Sequence, residues 1–263
     1  MQYMKKYVQE ATDENIWTSI KNNTFGRNKD IKDFIDGLEL IDGSACISLD
    51  AKWGDGKTFF VRQIEEVLKY VLVKQWTDEE NPVEEIPSYE YLKDNEIIAK
   101  IDLKHSYLPI YYNAWMYDNH SDPLMSLLLV MTKTCKGVYD TKINSEKISE
   151  KLISALSTLP ISLGEFKANP FTIAEKLQVK KVDILSLVQT EEEIRERVKG
   201  IFNDIIVESA QKLVIFIDEL DRCRPSFAIE MLERIKHYFD DERVIFVVSL
   251  NKEQLIHTIT NYY

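Results

Sequence analysis

The chain has 263 residues, 44% of them hydrophobic, and a formal net charge of -11. That length and composition bury a sizeable core, as one large domain or as a core with a subdomain, which excludes a disordered protein; the acidic balance excludes a general attraction to nucleic acid or anionic lipid, because polyanion binding needs a concentrated positive field. Cys46, Cys135 and Cys223 are too widely spaced for a disulfide framework or a close-spaced zinc site, and no apolar run reaches the ~18 residues of a membrane-spanning helix, so a reducing, cytoplasmic compartment without a membrane span is expected.

The first thirty residues hold no apolar signal core and are too acidic for a transit peptide. The run "SACISL" (44–49) then reads as a strand and is followed by a loop and the helical pattern "KTFFVRQIEEVLKYVL" (57–72). "DEENPVEEIPSYEYLKDNE" (78–96) is acidic, contains two prolines, and reads as an exposed connection. "YLPIYYNA" (107–114) is a second strand, leading to a helix that opens at Asp122 and Pro123, an acidic cap with proline at the first helical position. Helical patterns dominate the stretch from there to the third strand, including "EEEIRERVKGIFNDIIVESAQ" (191–211), and read as an inserted helical module at 135–210.

The third strand is "KLVIFID" (212–218), with a helix from Pro225 whose apolar stripe is Met231, Leu232, Ile235 and Phe239. The fourth, "RVIFVVSL" (243–250), passes into "NKEQLIHTI" (251–259). Each of the four runs is short and apolar without strict alternation, the pattern of a strand buried on both faces. Alternation with helices predicts an α/β domain around a mainly parallel sheet, with an N-terminal segment and first half of the core at 1–134 and its second half at 211–263.

Between the first strand and its helix lies "LDAKWGDGKTFF" (49–60), one residue short of the phosphate-binding pattern G-x-x-x-x-G-K-[ST], with Ala51 in place of the opening glycine. A glycine-rich turn at a helix start points backbone N–H groups at one place, and the helix N-terminus favours anions. Gly54 and Gly56 occupy positions where a side chain would crowd a phosphate; Lys57 would reach the β- and γ-phosphates and Thr58 would offer its hydroxyl to Mg²⁺. Trp53, Gly54, Asp55, Gly56, Lys57, Thr58 and Phe59 are the expected nucleotide contacts, and Ala51 is expected to be tolerated if its backbone angles are ordinary.

"LVIFIDELDRCRP" (213–225) supplies the partner such a loop needs, an apolar strand ending in two carboxylates. Asp218 is placed to bind Mg²⁺ through its water shell, and Glu219 to orient and deprotonate the attacking water. Asp221, Arg222 and Arg224 come next on the same loop. They either form a local ion pair that shapes the loop or lend positive charge to a phosphate.

Three stretches together, "KWGDGKT", "YYNAWMYD" followed by "DPL", and "FIDELDRCRPSFAIEMLERIKHYF" with "VIFVVSLNKEQL", resemble the KAP family of P-loop NTPases from about Phe25 to the chain end. The resemblance implies a three-layer P-loop NTPase of the additional-strand, catalytic-glutamate class, with the helical insert between its Walker A and Walker B motifs. It implies ATP with Mg²⁺, a switch function, Lys57 and Thr58 as the Walker A pair, Asp218 as the metal aspartate and Glu219 as the catalytic glutamate. Trp115 matches a family tryptophan and is expected to be a buried anchor of the insert. Ser249 or Asn251 lies where related enzymes place a polar sensor of the γ-phosphate, and is either that sensor or an ordinary polar residue at a strand end. "NTFGRNKDIKDFI" (23–35) is similar to a base-cradling segment; Arg27 either approaches adenine or ribose or is a solvated arginine in a helix-capping loop.

Ala51 departs from the family pattern, as does Asn251, where aspartate is common. The chain is expected to stop before a fifth strand and a helical lid, so that an arginine completing catalysis would come from beyond it or from a neighbouring subunit. The leading expectation is an ATPase switch, with anti-phage defence as a setting the resemblance makes plausible and a homo-oligomer or an effector protein as partner. The alternative is a nucleotide-dependent assembly scaffold with little turnover. A nucleic-acid motor ranks below both, since no basic stripe with interleaved aromatics is present.

Overall fold

The computed structural model describes residues 10–76, 86–120, 122–138, 191–238 and 241–261. The chain divides into two units, Met1–Ile41 with Trp53–Ser106, and Asp42–Lys52 with Tyr107–Tyr263.

The first unit is helical. Thr12 caps α1 (Asp13–Lys21) by accepting from Asn15 N, and α2 (Arg27–Leu38) follows a turn in which Asn23, Phe25 and Gly26 all have positive φ. At the end of α1 the Ile20 carbonyl accepts from Asn23 N at 3.1 Å and also from Asn28 Nδ2 at 2.7 Å and Asn95 Nδ2 at 2.9 Å. Helix α3 (Lys57–Trp76) carries Val61, Ile64, Val67 and Leu68 at helical spacing, all buried, as are Ile16, Ile20, Ile31 and Ile35. Its polar side is also covered: Lys69 pairs with Glu65 at 2.7 Å and Glu66 at 2.8 Å, Arg62 pairs with Asp13 and Glu65, and Trp17 Nε1 donates to Glu66 at 2.7 Å. The stretch expected as an exposed connection is partly packed. Residues 78–85 lie outside the described residues, but 86–96 include a short helix, α4 (Tyr89–Leu92), with Ser88 and Leu92 fully buried. The acidic residues masked a single apolar anchor, Leu92.

The second unit holds a four-stranded, all-parallel sheet: β1 (Ala45–Asp50), β2 (Tyr107–Asn113), β3 (Lys212–Asp218) and β4 (Val244–Leu250), in the order β1-β4-β3-β2. Parallel pairing requires crossovers, and the helices α5 (Pro123–Val138), α6 (Glu191–Ser209), α7 (Pro225–Tyr238) and α8 (Lys252–Thr260) flank it. Register places Asn113 beside Asp218 and Asp218 beside Ser249 at the carboxyl edge. β3 and β4 are buried along nearly their whole length, as their continuous apolar runs predict. β1 is not. Among the described residues it pairs on one side only, and its residues alternate between half-buried and exposed, with Cys46, Ser48 and Asp50 outward.

Asp122 accepts from Leu124 N at 2.8 Å ahead of Pro123, so α5 starts as the acidic-cap reading requires. Ser126 donates to the Pro123 carbonyl and accepts from the Tyr112 hydroxyl at 2.7 Å, which satisfies a fully buried phenol. On α6, Val198, Ile201, Phe202, Ile205 and Ile206 are buried, and α6 packs on α7. Met231 and Ile235 of α7 are buried and Leu232 half-buried; Phe239 lies outside the described residues, as do 139–190 of the expected insert.

Candidate functional site

The phosphate-loop half begins where β1 ends. Ala51 N donates to the Leu250 carbonyl at 3.3 Å, extending the ladder by one step, and its φ is not positive. The position that lacks the expected glycine therefore asks nothing of glycine. The two that keep it do: φ is +92° at Gly54 and +83° at Gly56, a region that L side chains rarely adopt. A Cβ at Gly54 would meet nothing within 4 Å, and one at Gly56 would approach only Arg27 Nη2, at 3.9 Å. The glycines thus face open space.

Helix α3 starts at Lys57, and Phe60 N donates to the Gly56 carbonyl at 3.0 Å, so the N–H groups of Lys57, Thr58 and Phe59 belong to the first turn. These N-terminal amides and the helix field together attract an anion. Lys57, Thr58 and Phe59 are half-buried there, while Trp53 and Asp55 are exposed. Arg27 opens α2 and turns to the same loop. Its Nη2 donates to the Asp55 carbonyl at 3.4 Å, and its guanidinium lies 5.4 Å from the centre of the Phe60 ring.

The acidic half stands at the carboxyl edge of β3. Asp218 is 1% exposed; its Oδ2 accepts from the Tyr111 hydroxyl at 3.1 Å and its Oδ1 from Glu219 N at 2.9 Å. Among the described residues no cationic side chain pairs with it. A buried carboxylate satisfied by neutral donors alone is suited to a hydrated divalent cation. Beside it in register, the Ser249 hydroxyl is fully buried and has no partner among the described residues.

Glu219 leaves the strand with φ 60° and ψ 28°, left-handed backbone for a residue with a Cβ. Its Oε1 pairs with Arg222 at 2.8 Å and its Oε2 accepts from Asn113 Nδ2 at 3.0 Å. Arg224 reaches away from Glu219: its backbone N donates to Asp118 Oδ2 at 3.2 Å and its Nη2 to the Asp118 carbonyl. Both arginines therefore shape the loop through local pairing. The Cys223 thiol, beneath this turn, is pushed up to about 12 by burial and by the charges of Asp118, Asp221 and Glu219.

Asn251 caps α8, its side chain accepting from Gln254 N at 3.2 Å, while Asp50 accepts from Lys252 N at 2.9 Å. Trp115 differs from expectation. It is 52% exposed in a 3-10 turn (Ala114–Tyr117) and anchors nothing in a core; the Arg222 guanidinium lies 5.7 Å from the centre of its ring. A large aromatic straight after a buried strand looks like core in sequence, but the chain has already turned out of the sheet. Tyr111 and Asn113 were not among the expected site residues. Their signal was present, because residues two apart at the end of a strand share a face, and a polar residue ending a buried strand is unusual.

No curated protein matches the chain. A family model described as the KAP family P-loop domain matches residues 27–263. Its extent covers β1, the glycine loop, the Asp218-Glu219 pair and all four strands of the parallel sheet, which is consistent with the α/β fold of P-loop NTPases. The chain belongs to the KAP family of P-loop NTPases, and a nucleotide-binding NTPase domain is what that membership supports.

Proposed function

We propose that this chain binds and hydrolyses ATP with Mg²⁺ and acts as a switch. The observation that carries the reading is the loop: two left-handed glycines facing open space, running directly into a helix whose first residues are Lys57 and Thr58. Lys57 neutralises charge on the β- and γ-phosphates, and the first-turn N–H groups orient them. Thr58 and Asp218 would hold Mg²⁺, which when bound neutralises the charge that builds on the phosphates. Glu219 takes a proton from the attacking water as the water oxygen bonds to the γ-phosphorus and ADP leaves with the bridging oxygen's electron pair. The strand β4 between β1 and β3 supports assignment to the additional-strand, catalytic-glutamate class. Ser249 or Asn251, at and just after the end of the same strand, is the proposed γ-phosphate sensor, and Arg27 the residue that meets the nucleotide from α2. Family likeness supports ATP as the nucleotide and anti-phage defence as the setting.

The test is Mg²⁺-dependent phosphate release across a range of protein concentrations, with Lys57→Ala as blank. Turnover above the blank supports the reading, and turnover rising faster than linearly adds a site completed by a neighbouring copy. Release equal in wild type and Lys57→Ala would refute it. One observation favours a second reading, a nucleotide-dependent scaffold with little turnover: both carboxylate oxygens of Glu219 are already engaged. That reading predicts nucleotide-dependent oligomers that survive Glu219→Gln and are lost in Lys57→Ala.

A further inference from the structure

A carboxylate that is to take a proton from water must turn an oxygen toward that water. In this structure Glu219 gives Oε1 to the Arg222 guanidinium, at 2.8 Å, and Oε2 to the Asn113 amide, at 3.0 Å. Both donors are braced from the same place, the 3-10 turn Ala114–Tyr117. Asn113 Oδ1 accepts from Met116 N at 3.2 Å, which fixes the orientation of the amide and leaves Nδ2 facing Glu219. The Arg222 guanidinium lies over the Trp115 ring, 5.7 Å from its centre. Trp115 and Met116 are exposed, so the turn that steadies both donors is itself a surface feature.

The backbone adds a third constraint. Left-handed φ at Glu219 is uncommon for a residue with a Cβ and persists where surroundings over-determine it. Arg222 sits three residues on, in the 3-10 turn that this reversal creates, and Arg222 N donates to the Glu219 carbonyl at 3.1 Å. The reversal, the ion pair and the stacking on Trp115 therefore form one connected arrangement from Glu219 to the surface.

We propose that Arg222, braced on Trp115, is a positioning residue that holds Glu219 in a resting orientation, and that the Arg222–Glu219 pair opens before water is deprotonated. The proposal rests on the reading of Glu219 as the base. It makes Trp115 the outer end of a restraint on hydrolysis: loosening Arg222 at either end releases the carboxylate.

The linkage is tested on the full chain labelled with 5-fluorotryptophan. Its four tryptophans give separate ¹⁹F signals, with Trp115 assigned by Trp115→Phe. The Trp115 signal shifts in both Arg222→Met and Glu219→Gln, because removing either partner loosens the guanidinium over the ring, while the Trp17 signal stays in place. An unmoved Trp115 signal in Glu219→Gln overturns the linkage. Kinetics test the restraint: in Arg222→Met, kcat for ATP rises about two- to fivefold, the range expected from a partly exposed ion pair, with KM unchanged, and Arg222→Lys stays near wild type. A kcat that falls or does not move in Arg222→Met overturns the restraint. Turnover retained by Glu219→Gln would remove the base reading instead, a result distinguishable from an unmoved fluorine signal.

Discussion

Replacing Ala51 by glycine restores the phosphate-loop pattern in sequence, yet the structure predicts that it restores nothing in function. Ala51 has no positive φ and donates to Leu250 O at 3.3 Å as an extension of β1, so its Cβ does not strain the backbone there. The only change is greater backbone freedom in the unfolded chain, a loss of about 0.5–1 kcal/mol. For a chain of this size that is a Tm lower by about 1–4 °C. The companion change is Gly54→Ala. There a Cβ meets nothing within 4 Å, so no clash contributes, but φ of +92° must be held by an L residue. In the variant the free loop relaxes out of this shape and must take it up again to bind, so a strain of about 1–2 kcal/mol corresponds to about a 5- to 30-fold weaker grip on nucleotide. Equilibrium titration with a fluorescent ATP analogue and Mg²⁺, beside thermal melts, reads both. The reasoning is refuted if Ala51→Gly tightens binding tenfold, which would mean that Ala51 distorts the cradle, or if Gly54→Ala binds like wild type.

Packing and charge set three further outcomes. Burial pushes the thiols of Cys135 and Cys223 up to about 12, leaving about one molecule in ten thousand as thiolate at pH 8; it also raises the Cys46 thiol, but that residue is exposed on β1 and open to reagent, so mass spectrometry after brief alkylation should find Cys46 modified and the other two intact. Burial opposes the Lys69 ammonium, but Glu65 and Glu66 outweigh it and raise its pKa, so Lys69→Met leaves buried Glu66 with its Trp17 hydrogen bond but no cation among the described residues, while Glu65 keeps Arg62, and costs about 3 kcal/mol in denaturant unfolding. Hydrogen bonds from Arg243 hold the Asp241 carboxyl below the usual aspartate range, so its contribution is present above about pH 4 and is lost as pH falls through the folded-state pKa; Asp241→Asn should be about 1 kcal/mol less stable at pH 7, with the gap closing in acid.

Much of the sheet was legible because its central strands have no polar side to hide. β3 and β4 are buried on both faces and read as unbroken apolar runs, and Asp122-Pro123 and Pro225 mark helix starts by cap chemistry that acts within a few residues. β1 read as equally buried, but which strands the rest of the chain covers is decided by tertiary packing, which local pattern does not carry: β2 is also an edge of the sheet among the described residues, yet it is buried along most of its length. The same limit applies at the site. Lys57, Thr58, Asp218 and Glu219 come from spacing alone, whereas the partners of Asp218 and Glu219 come from β2, about a hundred positions earlier in the chain. Nothing local announces that Asn113 meets Glu219; only the register of β2 on β3 brings them together. Left-handed Glu219 was illegible for another reason, since glutamate carries no signal for positive φ.

The central claim is that Glu219 acts in hydrolysis and not in holding nucleotide, and one protein sample tests it. Mg²⁺-dependent ATP binding and phosphate release are measured together for wild type and Glu219→Gln. Binding within about twofold of wild type, with release slower by about 10²- to 10⁴-fold, is the expected result. Release at the wild-type rate with binding intact would contradict it.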